Sequence, residues 1–192
     1  MIILTTTYNC APYVERSLLS IMSQRFKDFT CYITDDLSTD NTREVIKKTI
    51  EGDSRFVLIE NHIKLYQPGN YDQVINWRAI PGEEICVEVD GDDWLPDPNV
   101  FTRINQVYQD PNVWMTSGSF KYHENGNYWN VAGDLSFMFP MFEMSGEEHY
   151  RFLPEINYIY NESNPINDHK VNMGNVVSIV NKIRNKTEYE KL

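Results

Sequence analysis

Three carboxylates fall within four residues at Asp90-Gly91-Asp92-Asp93, directly after the apolar run Ile85-Cys86-Val87-Glu88-Val89. Acids this close repel one another, so a cation or a set of hydrogen-bond donors must compensate them. Their oxygens are hard donors, suited to Mg²⁺ or Mn²⁺ rather than zinc. Mg²⁺ keeps several waters and takes one or two protein carboxylates together with substrate phosphates. The pattern therefore suits a metal that holds a diphosphate. It also suits a plain solvated turn, because Asp and Gly are turn residues. An EF-hand calcium loop fits poorly: its required Gly would fall on Leu95 and its closing Glu on Phe101.

The elements that must position these acids can be read on either side of them. A short apolar run closed by turn residues reads as a buried strand, so the acids stand at a strand's C-terminal end. Two earlier loops have the same setting. Thr6-Thr7-Tyr8-Asn9 follows the strand begun by Ile2-Ile3-Leu4, and Asp35-Asp36-Leu37-Ser38 follows a strand from Phe29 to Thr34. Pro12 can open a helix in its first turn. Val14, Leu18, Ile21 and Met22 then recur at helical spacing, with Glu15, Arg16 and Ser17 opposite. Thr39-Asp40-Asn41-Thr42 offers caps for a helix whose apolar face is Val45, Ile46 and Ile50. Phe56–Glu60 reads as a third strand. A loop with Pro68-Gly69-Asn70 then leads to a helix expected from Tyr71 to Arg78. Strands alternating with helices imply a mostly parallel sheet with right-handed crossovers. In such sheets the ligand lies beyond the C-terminal strand ends, and there the three loops would meet.

Beyond the acids, Val100, Ile104 and Val107 share one helix face, and Asp110-Pro111 ends that helix. A strand is expected at Val113–Thr116. Ser119–Tyr122 and Tyr128–Val131 form a hairpin around Asn125-Gly126, a strong turn pair. Asp134 is placed to cap a helix carrying Phe137, Met138 and Phe142. Two late strands, Phe152-Leu153 and Ile156–Tyr160, precede a last helix from Val171 to Arg184 and a polar tail at 185–192.

A chain of 192 residues with 41% hydrophobic residues can bury one domain's core. Its net charge of −11 excludes a surface built for nucleic acid, which calls for Lys and Arg. Cys10, Cys31 and Cys86 lie in apolar stretches and read as buried free thiols of a reducing compartment. No run approaches the length of a membrane span, and none resembles a signal peptide. The expectation is a cytoplasmic protein without a transmembrane segment.

The three loops also carry a resemblance. Thr6-Thr7-Tyr8-Asn9, the complete run Asp35-Asp36-Leu37-Ser38-Thr39-Asp40-Asn41-Thr42, and the Asp-x-Asp motif Asp90-Gly91-Asp92 with its Asp93-Trp94-Leu95 continuation stand in order. Together they resemble the inverting family 2 glycosyltransferases of GT-A fold, well over residues 1–118. The resemblance implies a single α/β, Rossmann-like GT-A domain over 1–184, a mostly parallel central sheet flanked by helices. Residues 1–118 would be its nucleotide-sugar-binding half and 119–184 a shortened acceptor and catalytic half. It implies transfer of a sugar from a nucleotide-diphospho-sugar donor, expected to be a UDP-sugar, to an acceptor hydroxyl. Tyr8 would stack on the base with Thr6 beside it. Asp36 would accept from the base edge, and Asp90 would contact the ribose or the metal shell. Asp92 would ligate Mn²⁺ or Mg²⁺.

In the C-terminal half, Gly133-Asp134-Leu135-Ser136 resembles the family's acid at a helix start, which makes Asp134 the general base as well as a cap. Glu143, Glu147 and Glu148 are weaker alternatives, and His169 would complete the metal shell. Lys64 lies where it could reach a phosphate, or it is merely a solvated loop residue. The stretch from Met115 to Asp134 is shorter than is usual in the family. Recognition of the acceptor (a glycan, lipid-linked or protein hydroxyl) is then minimal, supplied by another subunit of a homo-oligomer, or lost. The last case is an alternative function, a nucleotide-sugar-binding protein that transfers weakly or not at all. A nucleotidyltransferase ranks last, because Thr5–Asn9 contains no Gly for a phosphate loop.

Overall fold

The computed structural model describes the chain except residues 77–81, 83, 125–126, 130–140, 172, 175–176, 178–180, 182–184 and 186–192, with backbone alone at 119–124, 127–129 and 168–169. The chain divides into two compact units, Met1–Asn105 and Gln106–Leu192. The division falls inside a helix, Val100–Val107.

In the first unit the order is β1 Ile2–Thr7, α1 Ala11–Met22, β2 Thr30–Asp35, α2 Thr42–Thr49, β3 Phe56–Glu60, α3 Tyr66–Ile75, β4 Cys86–Glu88 and α4 Val100–Val107. The sheet runs β3-β2-β1-β4 with every pair parallel. Thr7 lies opposite Asp35, and Asp35 opposite Glu60, so three strands end flush. The chain leaving β4 keeps to β1: Val89 N–H donates to the Leu4 carbonyl (3.0 Å) and Gly91 N–H to the Thr6 carbonyl (2.9 Å). All three motif loops are thereby on one sheet edge, as the alternation of elements implied.

Alternation along β1 sends its side chains to two apolar layers. Ile2 and Leu4 pack with Val74 of α3, with Tyr32, Ile59 and Tyr71 around them. Val14, Leu18 and Ile21 of α1 are fully buried, as are Ile3, Ile33, Ile46 and Phe101. Burying one such side chain stabilises by about 1.5–3 kcal/mol.

Helix α3 begins at Tyr66, five residues before the expected Tyr71. Pro68 falls in its first turn, where a missing N–H costs nothing because those donors lack helical partners anyway. The helix has no side-chain cap of its own at Leu65. A carboxylate from β2's end supplies it, a partner that local sequence cannot reveal. Ser17 also departs from expectation: it is buried rather than turned to solvent. Of the three thiols, Cys10 and Cys31 are buried and Cys86 is exposed. Burial pushes Cys31 up to about 12 and Cys10 further, which keeps both as inert thiols.

In the second unit, β5 Met115–Glu124, β6 Asn127–Trp129 and β7 Tyr150–Asn161 form a sheet ordered β6-β5-β7. A short helix, α5, covers 141–145, a 3₁₀ turn covers Glu147–His149, and α6 is Asp168–Val171. β5 and β6 pair antiparallel as the expected hairpin requires, with Glu124 opposite Asn127, while Asn125-Gly126 and the expected end at Val131 lie outside the described residues. Two pairs of expected strands merge. Val113–Thr116 and Ser119–Tyr122 become β5, and the two late strands become β7. The sequence split β7 because of Pro154. There the register jumps from Gly118↔Leu153 to Ser119↔Ile156, so Pro154-Glu155 is accommodated as an irregularity.

Candidate functional site

The acidic loop is held from below by α1. Ser17 Oγ donates to the Asp90 carbonyl (3.1 Å), and Ser20 Oγ accepts from Leu95 N–H (3.0 Å). Gln24 Nε2 donates to the Asp97 carbonyl (2.8 Å) while its Oε1 accepts from Phe101 N–H (3.1 Å). Ser17 and Ser20, three apart on one face of α1, and Gln24 just beyond the helix end together serve the backbone from residue 90 to 101. The Arg16 guanidinium lies over the Trp94 ring, 3.5 Å from its centroid. These groups satisfy buried backbone atoms that would otherwise cost about 1–3 kcal/mol each.

Within the loop, Asp90 Oδ1 accepts from Thr6 Oγ1 (3.0 Å) and from Gln67 Nε2 (3.2 Å). Gln67 Nε2 also donates to Glu88 Oε1 (2.6 Å), and the Tyr71 hydroxyl donates to the same oxygen. The neutral Gln67 amide of α3 thus bridges the Glu88 carboxylate of β4 and the Asp90 carboxylate just beyond it, and the Tyr71 phenol adds a donor to Glu88. Asp90 and Asp92 are partly exposed, whereas Asp93 is buried.

The other two loops are stapled to each other. Asn9 takes a left-handed backbone (φ 48°), and its Oδ1 accepts from Thr39 N–H (2.7 Å). Asn9 N–H donates to Ser38 Oγ (3.0 Å), and Cys10 N–H to Thr42 Oγ1 (3.0 Å). Asp40 accepts from Ala11 N–H (3.2 Å) and from Thr42 N–H (3.0 Å). Its carboxyl is desolvated, yet these donors outweigh that and hold it below the ordinary range. Asp35 is fully buried and pairs with Arg43. Asn9, Asp35, Ser38, Asp40 and Thr42 of the motifs therefore build the loops.

Asp36 sits where these loops meet α3. Its Oδ1 accepts from Leu65 N–H (2.8 Å) and Asn61 Nδ2 (3.0 Å), and its Oδ2 from Tyr66 N–H (2.9 Å). The Lys64 ammonium is 3.4 Å from Oδ2 and donates to the Asp36 carbonyl (3.0 Å). Burial pushes the carboxyl up, but the Leu65 and Asn61 hydrogen bonds, the Lys64 charge and the Tyr66 hydrogen bond win and hold it below the carboxylate range. Asn61 Nδ2 also donates to Asn70 Oδ1 (2.7 Å) of α3. The Lys64 ammonium in turn lies 3.0 Å from the centroid of the Tyr8 ring, which is exposed.

Thr6, Tyr8, Asp36, Asp90 and Asp92 thus share one edge of the first unit. Asp134 lies outside the described residues. His169 is in α6 of the second unit, with its side chain outside the description. Among the described residues no three His, Cys, Asp or Glu side chains converge on a metal position. The donor chemistry nevertheless fits Mg²⁺ or Mn²⁺, since Asp90 and Asp92 offer hard oxygens and substrate phosphates can complete the shell. Sequence reading missed Ser17, Asn61, Gln67 and Asn70. The available signal was a polar residue at an otherwise apolar helical or strand-end position, and it is weak.

The comparisons with known proteins bear on this edge. The sequence model described as "Glycosyl transferase family 2" matches residues 2–176. The chain belongs to that family. Glycosyltransferase GlyA of Streptococcus pneumoniae is 27% identical over 134 residues, 69% of this chain and 19% of GlyA. An uncharacterized glycosyltransferase of Mycoplasma genitalium is 35% identical over 97 residues, 47% of this chain and 31% of that protein. The chain therefore spans less than a third of either relative. Among solved structures, Pyrobaculum calidifontis mannosyltransferase PcManGT in complex with GDP-Man and Mn²⁺ is 17% identical with a TM-score of 0.69, over 98% of this chain and 65% of that one. Staphylococcus aureus TarS in complex with UDP-GlcNAc is 14% identical with a TM-score of 0.63, over 85% and 58%. These likenesses establish the GT-A fold for the family 2 domain.

Proposed function

We propose that the chain is the catalytic domain of an inverting glycosyltransferase that uses a nucleotide-diphospho-sugar donor with Mn²⁺ or Mg²⁺. The observation that carries this is the shared strand edge. An exposed aromatic (Tyr8), a buried carboxylate (Asp36) and two half-exposed carboxylates (Asp90, Asp92) end on it, within a family 2 domain. Tyr8 gives a base a stacking face, Asp36 accepts from a base N–H, and Asp90, oriented by Thr6 and Gln67, meets the ribose. Asp92, with His169, would hold the metal, whose charge stabilises the departing diphosphate. Asp134 would take the proton of the acceptor hydroxyl as its oxygen attacks the anomeric carbon opposite the leaving group. A UDP-sugar is the first donor to test, because uracil N3–H matches a carboxylate acceptor. The acceptor is a hydroxyl on a glycan, lipid-linked or protein partner. The compact β5–β6 hairpin favours one other reading, a domain that binds the donor but relies on a partner for its acceptor.

The test is calorimetric titration of a panel of nucleotide sugars with and without Mn²⁺ or Mg²⁺, followed by transfer assays. Metal-dependent binding of one donor, with release of its nucleoside diphosphate to an acceptor, is expected. Binding without any transfer would favour the second reading, and absence of binding across the panel would overturn both.

A further inference from the structure

The two surfaces assigned above to the base are both occupied by Lys64. A carboxylate offers about four acceptor positions. In Asp36, Asn61 Nδ2, Leu65 N–H and Tyr66 N–H take three of them, all from groups fixed by β3's end and α3's start. The Lys64 ammonium faces the remaining one at 3.4 Å. The same ammonium covers the Tyr8 ring at 3.0 Å from the centroid, and the Tyr66 ring centroid lies 5.8 Å from it. A base cannot stack on that face of Tyr8 and donate to Asp36 while the ammonium stays. Asn61 and the two backbone donors cannot yield without unseating α3. Lys64 can: it is on a loop, and its side chain is 30% exposed.

We propose that Lys64 is a displaceable occupant of the base seat, exchanged for the base when the donor binds and returning when the nucleotide leaves. This rests on the proposed function, and it makes Lys64 a determinant of nucleotide affinity rather than a donor to it. In the arrangement described, the ammonium neutralises Asp36 and covers an exposed aromatic. On binding, a ring N–H replaces the ammonium at Asp36 Oδ2, and the base replaces it on Tyr8. The exchange subtracts one cation–π contact and one part-exposed ion pair from the binding energy, while water replaces the Asp36 carbonyl as a partner of the ammonium. As the base begins to leave, the ammonium can take over its contacts in the same step, which lowers the barrier to release.

The experiment compares wild type with Lys64→Met, which keeps the stem and removes the charge. The probes are uridine and guanosine, which lack phosphates, and UDP and GDP with Mn²⁺. Removing the competitor should tighten the bound nucleoside by about five- to tenfold, the size of those two contacts together. The matching diphosphate should dissociate more slowly in stopped flow. Lys64→Arg, which keeps a cation able to cover Tyr8 and pair with Asp36, should not tighten nucleoside binding. Nucleoside binding that weakens or is unchanged in Lys64→Met would overturn the exchange. Weakening confined to the diphosphates would assign Lys64 to a phosphate contact instead, also overturning it. Tyr8→Ala separates the two levels of argument. If transfer and nucleotide affinity survive it unchanged, the base sits elsewhere and the exchange falls while the proposed function stands. If no protein in the set binds any nucleotide or nucleotide sugar, the proposed function falls and takes the exchange with it.

Discussion

Gly91, between the two acids of the Asp-x-Asp motif, is under a contact constraint that Gly91→Ala would violate. A Cβ built there lies 2.4 Å from Thr7 Cγ2, 2.9 Å from the Thr6 carbonyl oxygen and 3.2 Å from Thr7 Cβ. Contacts below about 3 Å force a shift. Rotating Thr7 would relieve the methyl contact, but Thr7 is buried and its Oγ1 donates to the Thr34 carbonyl at 3.1 Å. Rotation would break that bond. The Thr6 carbonyl is fixed in β1, where it accepts the Gly91 N–H. The loop must therefore move away from β1. Overpacking of this kind costs about 1–3 kcal/mol, and a lost buried hydrogen bond about 1 kcal/mol, so a loss of about 3 kcal/mol is expected. Because Asp90 and Asp92 flank the position, the same movement should weaken metal-dependent donor binding. Urea unfolding at unchanged slope reads the first effect, and calorimetry with Mn²⁺ reads the second. Thr7→Ser, which deletes Cγ2, should recover part of the stability in the double variant and leave the carbonyl clash. Wild-type midpoint and wild-type donor affinity in Gly91→Ala would refute the reasoning.

Three further outcomes follow from the site. Asp92→Asn should remove the Mn²⁺ dependence of donor binding with little change in the unfolding midpoint; donor affinity that still rises with metal would remove Asp92 from the metal shell. Asp134→Asn should leave donor affinity intact and slow transfer by about 10²–10⁴-fold, the usual contribution of a general base, and wild-type turnover would sink that assignment. The depressed Asp36 carboxyl makes stability pH-dependent with a definite sign. Its contribution is fully present above the ordinary value of 3.8 and is lost as pH falls through the lower folded value. Asp36→Asn should therefore flatten the acid limb of stability measured by urea unfolding, and an acid limb as steep as wild type would contradict the capping of α3 by this carboxylate.

Much of the first unit was legible because its signals are local. Apolar runs closed by Asp, Asn and Gly mark β1, β2 and β4, and the spacing of Val14, Leu18 and Ile21 marks α1. Strand–helix alternation then requires a parallel sheet, whose C-terminal edge must gather Tyr8, Asp36, Asp90 and Asp92. None of this needs knowledge of a distant partner. The second unit was less legible where a local breaker misled: Pro154 divides a single strand on paper, while pairing with β5 carries the chain across it.

Partners distant in sequence decided the rest. α3 starts at Tyr66 because a carboxylate some thirty residues away accepts its first N–H groups. Ser17 is buried because the Asp90 carbonyl, 73 residues on, needs a donor. Lys64 read as a solvated loop residue, and only the meeting of three loops puts its ammonium on Tyr8 and beside Asp36. Periodicity and turn chemistry determine which residues face a layer or an edge. Which polar atoms satisfy one another there depends on distances that exist only after the strands have paired, because a buried donor or acceptor takes whatever partner the fold brings within reach.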